Sequence, residues 1–204
     1  MLRQTFLFCL LSCVSLLIKA QDIQSNTEGL NAEVGFSATG WSSKYFTQLD
    51  EISPFGLGGK MRVGYGLNQR FEPFASYEAY TLNLKKEWRD YYRMSCIGLG
   101  LRVNFGGTLQ RIRPYIEVAY NNVRQEVSPV IFNNRAFVYR MKGGNFAAGA
   151  GVRFFISPKL AANAHLMTSM GKFNSFTLDG IGINDIPDVR TFRGSIGLCY
   201  FFGF

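Results

Sequence analysis

The sequence is poor in several residue types on which chemistry could rest. Among 204 residues there are one histidine, four cysteines and two tryptophans. A single His without a paired-Cys motif leaves too few ligands for a zinc site. No glycine-rich phosphate loop is present, because the glycines follow a strand-like alternation rather than a strand–loop–helix pattern. Only six prolines accompany the 22 glycines, which excludes collagen-like and proline-rich chains. After residue 20 there is no apolar run of the roughly 18 residues that a membrane helix needs. What is abundant is aromatic. Nineteen Phe and ten Tyr help bring the aromatic share to 15%, which excludes a disordered chain. Mean hydropathy is +0.02, an average that two segregated faces would produce.

The N-terminus reads as an export signal. Met1-Leu2-Arg3 is a short basic start, Phe6 to Ile18 is apolar, and Lys19-Ala20-Gln21-Asp22 ends the stretch. This is the layout of a secretory signal peptide over residues 1–20, cleaved after Ala20, and it is short for a span. Removing it takes away Arg3 and Lys19 and lowers the net charge from +8 to +6. It also removes Cys9 and Cys13. Cys96 and Cys199 remain, and the strand reading below puts them on opposite walls as two buried thiols. The remaining charge is scattered on an exported chain, so no nucleic-acid partner is expected.

Strict alternation of apolar and small or polar residues runs through the mature chain. From Cys96 to Phe105 one face carries Ile97, Leu99, Leu101, Val103 and Phe105, and the other Cys96, Gly98, Gly100, Arg102 and Asn104. A helix would need a period of 3.6 and would be weakened by these glycines. The same signal recurs over Lys60–Asn68, Pro114–Asn121, Phe146–Phe154, Leu160–Leu166 and Ser195–Phe204, and more faintly over Asn31–Trp41 and Glu72–Leu82. In Glu72–Leu82 only Glu78 sets the phase. These segments predict about eight strands, of about the length a tilted strand needs to cross a bilayer. The joins alternate between short (68–71, 106–111, 157–158) and long (42–55, 83–93, 122–144, 171–190). Short turns at one rim and long loops at the other characterise outer-membrane barrels. In the third long join, Val130–Phe132 and Ala136–Tyr139 around Asn133-Asn134 read as a hairpin projecting past the membrane. A ten-stranded barrel is the alternative.

The composition of the two faces orients them. One face is Gly, Ala, Ser and Asn with isolated charges, too sparsely charged for a soluble exterior but suited to a narrow interior filled by side chains. The other is Leu, Val, Ile, Phe and Tyr, as lipid requires. Lipid offers no hydrogen-bond partners, so the sheet must close. A soluble lipocalin-like barrel would reverse the faces.

The last residues carry a resemblance. Ser195-Ile196-Gly197-Leu198-Cys199-Tyr200-Phe201-Phe202, with Phe204 ending the chain, is similar to the aromatic-rich closing strand by which assembly machinery recognises bacterial outer-membrane barrels. Ser195, Gly197, Tyr200, Phe202 and Phe204 occupy its pattern. Together with the export signal and asymmetric loops, the chain resembles the small OmpA/OmpX-type outer-membrane β-barrels over residues 30–204. The resemblance implies an all-β, eight-stranded antiparallel transmembrane barrel with short periplasmic turns and long extracellular loops. It also implies a place in the outer membrane of a Gram-negative-type bacterium, reached through the inner membrane. Partners would be outer-membrane lipid, including lipopolysaccharide, and the barrel-assembly machinery. The expected organisation is a signal peptide (1–20), a short periplasmic segment (21–30) and the barrel (31–204), monomeric and without cofactor.

Charged residues on the inward face are expected to pair, because an unpaired buried charge costs about 3–5 kcal/mol. Arg62 and Glu78 fall near mid-height on neighbouring strands, and Arg102, Glu117 and Arg153 lower on the next three. Glu33 falls near the periplasmic rim and Arg193 near the outer one. An ion-pair network that plugs the barrel is the expected role, which makes the protein a non-enzymatic membrane component, structural or surface-interacting. A narrow, porin-like ion or solute channel is the first alternative and a lipid A-modifying enzyme the second. For the enzyme, His165 lacks a hydroxyl two residues on, where Met167 stands, and Ser195 on the last strand is a conceivable partner whose height nothing in the sequence ties to it. At the outer rim, Lys85, Lys86, Trp88 and Arg89, with Arg124, Arg135, Arg140 and Lys142, form a candidate surface for lipopolysaccharide phosphates.

Overall fold

A computed structural model describes residues 25–42, 55–83, 91–132, 135–183 and 188–202. The expected signal peptide lies outside these residues. The strands are β1 (Gly29–Ser42), β2 (Phe55–Gly66), β3 (Phe71–Asn83), β4 (Tyr91–Asn104), β5 (Ile112–Phe132), β6 (Arg135–Ser157), β7 (Leu160–Leu178), β8 (Ile181–Ile183) and β9 (Asp188–Phe201). Each pairs antiparallel with its neighbour, and β1 closes on β9 from Asn31↔Phe201 to Ser42↔Arg190. β8 is a three-residue flap folded back on Phe176–Leu178 of β7. The barrel therefore has eight staves, β1–β7 and β9.

The alternation dictates this closure. Outward residues such as Phe36, Leu57, Ile97, Leu99, Val118, Phe146 and Ile196 stand exposed around the wall, Phe36 at 79%. Inward neighbours such as Asn31, Glu33, Arg62, Arg102 and Glu117 are buried. An exterior of apolar side chains over an interior of charged ones is the inverse of a water-soluble barrel, and hydrocarbon is its solvent.

Two of the long joins hold more strand than expected. β5 and β6 run 21 and 23 residues, well beyond the roughly 9–11 that cross a bilayer. They stay paired up to Phe132↔Arg135, with an irregularity between Val127 and Val130. The span 122–144 is thus a continuous projecting hairpin. β7 likewise continues to Leu178. It then turns at Asp179-Gly180, whose φ values of 48° and 87° suit a two-residue hairpin. Periodicity is weaker there because no lipid imposes two faces beyond the membrane.

The interior has distinct layers. At the periplasmic end Phe155 and Phe201 stack at 5.3 Å over Ala161 and Cys199. Charged residues fill the middle. The extracellular half is apolar, packed by Trp41, Tyr80, Leu82, Tyr92, Met94, Val123, Met141 and Phe173. The short-residue alternation does not reveal that upper layer. Cys96 and Cys199 are both buried and free.

Candidate functional site: an ion-pair core across the lumen

Two carboxylates organise the middle layer. Glu117 Oε2 accepts from Arg62 Nη1 at 2.8 Å and from Arg102 Nε at 3.0 Å. Glu72 takes Arg153 in a two-pronged pair, Nη1 to Oε2 at 2.7 Å and Nη2 to Oε1 at 2.8 Å, the geometry the planar guanidinium favours. Glu33 adds contacts of 3.5 Å to Arg102 Nη2 and 3.8 Å to Lys60 Nζ. Asn104 donates to Glu72 at 3.4 Å. The side chains of Arg62, Arg102, Arg153 and Glu72 are 0% exposed. Nearer the extracellular side, Arg193 Nη1 donates to Glu78 Oε2 at 2.6 Å, and Tyr80 donates to the same oxygen at 2.6 Å.

Aromatic rings and glycines hold the arginines. The Arg62 guanidinium lies 3.5 Å from the centre of the Phe74 ring, and that of Arg102 lies 3.7 Å from the centre of the Tyr115 ring. A cation over a ring gains about 0.5–2 kcal/mol, more when desolvated. Each ring lies where a neighbouring strand has no side chain. A Cβ on Gly100 would stand 2.5 Å from Phe74, and one on Gly151 would stand 2.4 Å from Tyr115. The inward glycines thus make room for rings, and the rings seat the cations.

The pairing differs from the expected one in a specific way. Of the five charges expected on neighbouring strands, only Arg102 and Glu117 are direct cross-strand partners. Arg62 on β2 reaches Glu117 on β5, and Arg153 on β6 reaches Glu72 on β3. Arg62 stands opposite Ser76, and Glu78 turns instead to Arg193 on β9. An eight-stranded lumen is narrow enough for an Arg side chain to span it, so pairs form across the barrel. Glu33 sits in the middle of the network rather than at the rim. Glu72 was missed, although its even number puts it on the same face as Glu78, six residues on.

The remaining candidates are dispersed. His165 Nε2 lies 3.0 Å from Glu117 Oε1, and its Nδ1 lies 3.5 Å from Lys60 Nζ. Ser195 is directly opposite His165 in the β7–β9 register, but the imidazole is buried inside the barrel, turned to Glu117. Ser195, Gly197, Tyr200 and Phe202 lie along β9 or just past it, with Tyr200 and Phe202 outward and edge-on at 5.2 Å. Phe204 and the loop residues Lys85, Lys86, Trp88 and Arg89 lie outside the described residues.

The periplasmic mouth is covered by the chain itself. Arg113 donates to Ser25 O and Gln69 O, each at 2.8 Å, and to Gln69 Oε1 at 3.0 Å. Ser25 N also donates to Thr108 O at 2.7 Å. Residues 25–28 are thereby drawn over the opening.

Closure, an apolar exterior, asymmetric rims and a filled charged lumen together decide the architecture. The fold is that of the small outer-membrane β-barrels. Neisserial surface protein A superposes with a TM-score of 0.65 at 16% identity, covering 86% of this chain and 98% of that one. OprG from Pseudomonas aeruginosa gives 0.59 at 14% identity, covering 88% and 98%. Ail, the attachment invasion locus protein of Yersinia pestis, gives 0.53 at 13% identity, covering 85% and 100%. No protein-family profile and no curated protein matches the sequence. The small outer-membrane barrels thus share this chain's architecture while sharing little of its sequence.

Proposed function

We propose that the protein is a non-enzymatic outer-membrane barrel, monomeric and without cofactor, that acts through its outer wall and extracellular hairpins. In this reading residues 1–20 direct export across the inner membrane, and the aromatic closing strand engages the assembly machinery. The observation that carries it is the lumen. Arg62, Arg102 and Arg153 with Glu33, Glu72 and Glu117 fill its cross-section, and the apolar layer above and the Arg113 plug below add further obstruction.

A narrow channel is the second reading. Arg62 Nε, Arg153 Nε and Arg193 Nε are buried and have no protein acceptor. Water is the natural acceptor for such groups, and a thread of water would be the start of an ion path. The enzyme reading has less support, since the one imidazole faces Glu117 in the lumen, remote from a lipid substrate.

The test is a refolded barrel, verified by its change in gel mobility on boiling, in a planar bilayer. Flat traces for wild type and for Glu117→Ala are expected. Conductance steps in the wild type that change in Glu117→Ala would favour the channel. A lipid A mass altered by overexpression would favour the enzyme.

A further inference from the structure

The charges of the lumen do not balance. Among the described residues, six buried Lys and Arg meet four buried Glu. Glu78 takes Arg193, Glu33 takes Lys60, Glu72 takes Arg153, and Glu117 is shared by Arg62 and Arg102. Arg113, at the periplasmic end of β5, is left without a carboxylate, although it is 0% exposed. Its acceptors are Phe105 O at 3.2 Å, Ser25 O, Gln69 O and Gln69 Oε1. All four are neutral. They satisfy hydrogen bonds without cancelling the charge, and a guanidinium has a fifth N–H to place.

Arg153 deepens the imbalance. It is the direct cross-strand partner of Arg113 on β6, and it too is inward and 0% exposed. Like charges directly opposite destabilise a strand pair, and burial strengthens the repulsion by removing water. Arg153 spends Nη1 and Nη2 on Glu72, whereas its Nε is buried with no protein acceptor. Arginine does not deprotonate in proteins, so the pair cannot relieve itself by losing a proton.

The surroundings are closed. Ser25 and Thr27 of the N-terminal segment are 0% exposed, each bonded to the periplasmic turns. The Phe201 ring centre lies 5.2 Å from Arg153 Cζ, and Phe155 stacks on that ring. An enclosed place with two open N–H groups offers too few donors for the several oxygens of phosphate or sulfate. A monatomic anion accepts from any direction and needs no fork to match it.

We propose that a halide ion, chloride in its natural setting, binds between Arg113 and Arg153 and supplies the missing counter-charge. It receives the open N–H of Arg113 and Nε of Arg153. With the anion bound, Arg113 keeps its hold on Ser25 and Gln69, and residues 25–28 stay over the periplasmic mouth. Without it the two guanidinia repel, and the cover loosens. A water molecule in the same place would satisfy the N–H groups and leave the charge unanswered.

The experiment uses the refolded full chain, its folding verified by gel mobility, in a zwitterionic detergent with sodium gluconate. Chloride replaces gluconate at constant ionic strength while the chloride NMR linewidth and the urea midpoint are followed. Saturable broadening and a midpoint that rises with chloride are expected, because a ligand of the folded state stabilises it. Bromide should compete, and sulfate should not. Arg113→Gln should weaken binding at least about tenfold. Arg70→Gln, which removes an exposed cation at the same rim, should leave it unchanged. No saturable broadening in the wild type overturns the proposal without any variant and leaves water between the guanidinia. Binding unaltered in Arg113→Gln, or lost as much in Arg70→Gln, overturns it in favour of surface attraction. Displacement by sulfate at equal concentration overturns the assignment of a halide. If Arg113→Gln does not refold, the wild-type titration against sulfate and the Arg70→Gln control still decide.

Discussion

Arg102 and Glu117 face each other directly across β4 and β5; the carboxylate accepts a hydrogen bond from Nε of the arginine at 3.0 Å, and Nη2 lies at the same distance as an ion-pair contact. The same oxygen also takes Arg62 from the far wall. One carboxylate thus ties three strands across the lumen. Glu117→Gln leaves two buried cations short of a counter-charge, an effect of about 3–5 kcal/mol. The folded fraction in urea, followed by gel mobility, should fall at lower denaturant. For the simpler Arg153–Glu72 pair, a double-mutant cycle of Arg153→Met and Glu72→Met should return a coupling of roughly 1–3 kcal/mol. Additive effects would mean the two charges stabilise the barrel independently.

The seating of the arginines makes a second prediction. Gly151→Val forces a side chain into the place of the Tyr115 ring, and with it the guanidinium of Arg102. Overpacking of this kind costs about 1–3 kcal/mol. Gly107, whose added Cβ would meet nothing within 4 Å, is the control. Gly151→Val should lower folding yield and urea midpoint, and Gly107→Ala should leave both unchanged. Equal effects would detach the glycine from the ring.

The inward position of Trp41 makes a third. In a Trp88→Phe background Trp41 is the only tryptophan. It is 4% exposed and packs against Tyr92 at 6.2 Å inside the wall. Lipids with brominated acyl chains should quench it weakly. Phe36→Trp in a Trp-free background, on the lipid-facing side, should be quenched strongly. Strong quenching of Trp41 would invert the face assignment.

Much of this molecule is legible along the chain. Cys96 to Asn104 announces its two faces residue by residue, because lipid on one side and a crowded lumen on the other punish any lapse. The extensions of β5 and β6 were harder to read. Beyond the membrane Arg124, Glu126, Arg140 and Lys142 point outward where an apolar residue is expected, so the pattern there resembles a loop. The apolar upper interior was hidden for the converse reason. Tyr92 and Met94 continue the inward phase of Cys96, but Arg93 and Ser95 between them remove the contrast that marks a strand.

The sequence by itself determined the two-faced strands, the inward and outward sets and the apolar character of the exterior, since a period of two and the chemistry of each face are local properties; closure decided eight staves over ten. Only the tertiary structure decided which charges meet. Arg62 finds Glu117, Arg153 finds Glu72, and Glu78 leaves Lys60, its register partner, to bond Arg193. Those choices depend on strand stagger and lumen width, which closure fixes for all eight staves at once and no single segment encodes.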